Sequence, residues 1–125
     1  MHHSQLAGFI IDSLGEDIDG AADFWSQALG MPVKQETGTG NEGYVKLDNG
    51  DGLNIEVQRV NHPSRVHLDI ATDDIPAEVA RLEALGAKRL GEIKSWVVMV
   101  APTGHRFCVV RAKDADFAGK ATRWE

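Results

Sequence analysis

Residues 65–86 read RVHLDIATDDIPAEVARLEALG, and they hold a strand, a helix start and a helix stop in one line. Val66, Leu68 and Ile70 alternate with His67, Asp69 and Ala71, which is the period-two pattern of a strand with one buried face. Asp73-Asp74 precedes a helix with Pro76 in its first turn. Ile75, Val79, Leu82 and Leu85 give that helix one apolar stripe, and Gly86 ends it. Downstream, Lys88–Ile93, Trp96–Ala101 and Arg106–Arg111 are predicted strands, with Pro102-Thr103-Gly104 as the last turn. Ala112–Glu125 has no clear period, although Phe117 and Trp124 are large enough to pack it down.

The same grammar stands upstream. Leu6–Asp12 reads as a strand, and Ile18, Ala21, Ala22, Trp25 and Leu29 as a helical stripe stopped by Gly30 before Pro32. Pro32–Glu36, Tyr44–Leu47 and Leu53–Val60 are three further predicted strands. Asp48-Asn49-Gly50-Asp51-Gly52 is a strong hairpin signal between the last two. Leu29-Gly30 answers Leu85-Gly86, so strand, helix and three strands are stated twice around the joint Asn61-His62-Pro63-Ser64. The expected fold is α+β: one domain over 1–125, with module one at about 5–60, module two at about 65–112 and a tail at 113–125. Two βαβββ modules would form a curved mixed sheet around a cleft, with the helices on the outer face.

The 125 residues are 42% hydrophobic, enough for a core without staples, and the net charge of −6 argues against nucleic acid as a partner. The longest apolar run, Trp96–Ala101, is too short for a membrane span, and Met1-His2-His3-Ser4 is unlike a signal peptide. His2 and His3 read as a remnant of a start sequence. Cys108 is the one cysteine, which excludes an internal disulfide. The expectation is a cytoplasmic protein.

The sequence resembles the vicinal oxygen chelate superfamily, the glyoxalase/bleomycin-resistance/dioxygenase proteins. Asp23-Phe24-Trp25 with Ala28-Leu29-Gly30, Arg65–Ile70 with Asp73-Asp74, Glu78–Ala87, and Trp96–Met99 with Ala101–Gly104 and Phe107-Cys108 carry the likeness. The second half is especially similar to the small glyoxalase-like proteins common in actinobacteria. The resemblance implies a divalent metal held by one residue from each of four strands, zinc, nickel, manganese or iron being the usual ions. Of those positions His67 matches, Gly8 stands where a histidine is usual, Cys108 falls on another, and the fourth is Glu56 or Gln58. The resemblance also favours a homodimer.

Strand parity, taken without the resemblance, puts Glu56 and Gln58 opposite Leu53, Ile55 and Val57. It likewise puts His67 and Asp69 opposite Val66 and Leu68, Cys108 opposite Phe107 and Val109, and Gly8 and Asp12 opposite Phe9 and Ile11. All the candidates then share the polar side of their strands. Trp96 joins them if Val97 and Met99 pack on the helices, and there it stacks on a planar ligand. Gly38, Gly40 and Gly43 read as a turn or as a lid over the cleft. The expected function is a degenerate-metal-site protein that binds a small organic molecule through Glu56, Gln58, His67, Trp96 and Cys108. The alternative is a lyase or dioxygenase in which His67 and Glu56 hold the metal and Glu56 moves the proton, with Asp12, Gln5 or a partner subunit completing the site.

Overall fold

The structure is a computed structural model and describes residues 1–34, 43–48, 50, 52–113 and 116–125. Among them the fold is α+β, with parallel and antiparallel strand pairs and three helices. In chain order the elements are β1 (His2–Leu14), α1 (Ile18–Leu29), β2 (Tyr44–Leu47), β3 (Asn54–Val60), β4 (Arg65–Thr72) and α2 (Ile75–Ala84). They continue with β5 (Lys88–Ile93), β6 (Trp96–Val100), β7 (Arg106–Arg111), α3 (Phe117–Lys120) and β8 (Thr122–Trp124). The chain divides into two compact units: Gly8–His67, and Met1–Ala7 together with Leu68–Glu125. Among the described residues, no helix is long and apolar enough to cross a membrane.

In the unit Gly8–His67, β3 runs parallel to the second part of β1, with Gly8 opposite Asn54 and Asp12 opposite Gln58. β2 lies antiparallel on the other side of β3, as the hairpin signal requires. Asn49 and Asp51 of that signal lie outside the described residues, but the Gly50 N–H donates to Asp48 Oδ1 at 3.0 Å, a local turn bond. Asp17 caps α1 by accepting from the Gly20 N–H at 2.9 Å, and Gly30 ends it at φ 70°, where a side chain would be strained. Ile18 and Ala22 of α1 pack on Val45, Leu47, Ile55 and Val57, with Phe9, Ile11 and Trp25 around them. Burying Val57 and Leu47 contributes about 2 kcal/mol each. The predicted strand Pro32–Glu36 reduces to a bridge from Val33 to Leu47 among the described residues; Pro32 has no N–H to extend a ladder. The proposed lid falls mostly outside the described residues, since Gly38 and Gly40 are not among them.

In the other unit, β7 is parallel to β4 and antiparallel to β6, which pairs antiparallel with β5. Asp74 caps α2 by accepting from the Ala77 N–H at 3.1 Å, and Pro76 occupies its first turn. Val79 and Leu82 pack on Val97, Met99, Phe107 and Val109. Leu85, expected on the apolar stripe, is the C-cap and is exposed. In each unit, therefore, one helix covers one face of the strands and leaves the opposite face without it.

The chain ends correct the sequence reading. The tail folds into α3 and β8, and β8 pairs with the start of β1, His2 opposite Trp124. His2 is buried, not a remnant: its Nε2–H donates to Glu78 Oε1 at 2.8 Å. His3 donates from Nδ1–H to Asp73 Oδ2 at 2.8 Å and from its backbone N–H to Asp73 Oδ1. The backbone N–H of His3 is the largest influence on Asp73 and holds that carboxyl below the usual range. β1 is consequently much longer than the predicted Leu6–Asp12, because polar partners hold residues that carry no apolar signal.

Candidate functional site

The face that α1 leaves uncovered is polar, and its make-up follows from register. Gln58 of β3 pairs with Asp12 on one side and Tyr44 on the other; Glu56 pairs with Ile10 and Lys46. Partners in register point the same way, so Asp12, Gln58 and Tyr44 form one row and Ile10, Glu56 and Lys46 the next. Glu56 Oε1 accepts from the Asn54 amide at 3.0 Å, on its own strand. The Gly8 position belongs to this face but admits no side chain: a Cβ there would collide with the Asn54 carbonyl oxygen.

His67 opens onto the same group of residues. Its Nδ1–H donates to Asp12 Oδ2 at 2.8 Å, a bond across 55 positions of sequence. An ionised carboxylate only accepts, so the hydrogen sits on Nδ1 and the neutral ring carries its lone pair on Nε2. Asp12 is 3% exposed, and its other oxygen, Oδ1, is buried with no partner among the described residues. Arg65 Nε stands 3.9 Å from Asp12 Oδ2, beyond hydrogen-bond reach. At the carboxyl ends of β1 and β3 a groove of about 540 Å³ is lined by Leu14, Glu16, Gln58, Arg59, Asn61 and His62, among others.

The second unit has a corresponding uncovered face. Asp69 of β4 is in register with Cys108 of β7, which is in register with Val98 of β6. Val97 and Met99 are in the core under α2, so Trp96, two residues before Val98, lies on the side of Cys108 and is half-buried. Cys108 itself is buried. Glu56, Gln58 and His67 thus belong to one unit, and Trp96 and Cys108 to the other.

The donor chemistry can be weighed against the metal that the resemblance implies. The four-strand set does not fit: the Gly8 position is closed by backbone and offers no donor. Other donor types are present within each unit: Asp69 stands in register with Cys108 in one, and His67 is bonded to Asp12 in the other. Asp12, the partner of His67, is a carboxylate in an apolar strand. Sequence reading reached it only as a fallback ligand, since nothing local announces a bond across 55 positions.

Residues 9–110 match the family model of the glyoxalase-like domain. The uncharacterised protein YwbC of Bacillus subtilis (strain 168) is 26% identical over 112 residues, covering 81% of this chain and 85% of that protein. Among solved structures, hypothetical protein BH1468 from Bacillus halodurans C-125 superposes with a TM-score of 0.64 at 12% identity, over 89% of this chain and 96% of the other. A glyoxalase/bleomycin resistance protein/dioxygenase superfamily member from Vibrio splendidus 12B01 gives a TM-score of 0.53 at 19% identity, over 86% and 100%.

Proposed function

The chain belongs to the glyoxalase-like domain family of the vicinal oxygen chelate superfamily, and we propose that it binds a small organic molecule without the family's metal. The observation that carries this reading is the closed position at Gly8, where the Asn54 carbonyl stands in place of a first-strand donor. The uncovered faces keep what a binding surface needs. Glu56, Gln58 and the Asp12–His67 pair offer hydrogen bonds, and Trp96 offers a flat apolar surface for a planar ligand, with Cys108 beside it. We further propose that the protein works as a homodimer, which light scattering on the purified chain tests directly.

The deciding experiment is elemental analysis of the protein after dialysis against zinc, nickel, manganese and iron(II), followed by a thermal-shift screen of planar aromatic compounds. The expected result is no retained metal and a stabilising compound whose affinity falls in Trp96→Ala. Near-stoichiometric metal that disappears in His67→Ala overturns it. That outcome would favour a second reading, a divalent-metal lyase or dioxygenase, for which the paired donor groups of Asp12 and His67 are the supporting observation.

A further inference from the structure

Arg65 stands between two acceptors. Its Nη2–H donates to His62 Nε2 at 3.2 Å, while its Nε lies 3.9 Å from Asp12 Oδ2. The tautomer of His62 is set by its other nitrogen, since Nδ1–H donates to the Pro63 carbonyl at 2.9 Å and a carbonyl can only accept. Nε2 of the neutral ring is therefore an acceptor, and it holds the guanidinium outward. On the inner side, Asp12 spends Oδ2 on His67 and leaves Oδ1 buried and unpaired among the described residues. A buried acceptor in that state costs on the order of 1–3 kcal/mol, and a charge-assisted bond from a guanidinium is the stronger kind of hydrogen bond.

We propose that Arg65 is a two-position switch thrown by protonation of His62. With His62 neutral, Arg65 rests on its ring. Once Nε2 takes up a proton, the acceptor is gone and two cations face each other at hydrogen-bond distance. The guanidinium then moves inward and donates to the Asp12 carboxylate. Asp12 becomes charge-paired, and His67 no longer has sole claim on it. Among the described residues, Arg65 on β4 bonds His62, and the charged Glu16 and Arg59 line the same groove. The proposal goes beyond small-molecule binding and does not depend on it.

The test uses the full isotope-labelled chain with no ligand or metal added. Imidazole nitrogen and proton shifts are followed by NMR while pH is lowered through the range in which histidines titrate, roughly 8 to 5. His67 is expected to show a step that tracks the titration of His62. That step should vanish in Arg65→Gln. It should also vanish in His62→Gln, whose amide oxygen still accepts from Arg65 but takes up no proton. A His67 signal indifferent to His62, or a step that persists in Arg65→Gln, overturns the switch. Should Arg65→Gln fail to fold, His62→Gln alone decides, because a surviving step there has no His62 to follow. None of these outcomes bears on whether a ligand binds.

Discussion

Glu78 and Asp12 are carboxylates of nearly equal burial, 0% and 3% exposed, in opposite circumstances. Glu78 is saturated. Its Oε1 accepts from His2 Nε2–H and from Arg81 Nε–H, and its Oε2 accepts from Arg81 Nη2–H, all at 2.8 Å. The arrangement is backed further out: the Arg81 guanidinium lies 3.8 Å over the Trp124 ring, whose Nε1–H donates to Ser4 at 2.8 Å. Among the described residues, Asp12 has one good bond, one distant guanidinium and one oxygen with no partner. The difference separates two uses of a buried charge. A carboxylate whose acceptor sites are filled from its own unit holds structure together, whereas one left half-paired has capacity for a change of partner.

Perturbing each carboxylate should expose that contrast. Glu78→Gln leaves the half-buried Arg81 beside an uncharged amide. Removing one member of a fully buried ion pair costs about 3–5 kcal/mol, and the part-exposed guanidinium puts this pair toward the lower end. Urea denaturation should show a loss of that order; a loss under about 1 kcal/mol, within the range of an exposed pair, would put Glu78 and Asp12 on the same footing. Acid neutralises the same group reversibly. Burial pushes the Glu78 carboxyl up, but the donors from Arg81, His2 and Ser4 outweigh it and hold the group below the usual glutamate range. A depressed carboxyl stabilises the fold at pH above its ordinary value, near 4.3, and that contribution fades as pH falls through the depressed value. Hydrogen exchange of β8 and of residues 2–4 should accordingly quicken under acid in the parent chain and show a smaller acid response in Glu78→Gln.

Trp124→Ala tests the outer layer of the same network. Losing the ring over Arg81 and the bond to Ser4 should cost about 1–2 kcal/mol, read from the denaturation midpoint. Asp12→Asn should cost least, about 1 kcal/mol or less, since the amide oxygen still accepts from His67 and the poorly paired charge is gone. A cost for Asp12→Asn equal to that of Glu78→Gln would erase the contrast.

The sequence made one of these carboxylates partly visible and hid the other. Helix α2 was legible from its Asp74 cap, Pro76 and apolar stripe, and strand parity assigned Ile55, Val57, Phe107 and Val109 to the helix-covered faces where they lie, while leaving open which way Val97 and Met99 point. Those features are local, and a period of two or of 3.6 reports them. Glu78 was unreadable because hydropathy places glutamate on the surface, and the partner that keeps it inside is His2, 76 positions away. The same distance problem hid the pairing of Trp124 with Ser4, across 120 positions. The candidate residues were legible only as lying on one side of their own strands; the bond between His67 and Asp12, which sets what that histidine can do, was not.

The close approach of Asn54 to Gly8 also bears on what a single substitution could do here. Exchanging Gly8 for histidine would not by itself supply a first-strand ligand, because the new Cβ would meet the Asn54 carbonyl oxygen and β1 and β3 would have to part first. Such a variant would loosen its strand pairing before it gained a metal. Engineering a metal centre here would have to start from β3.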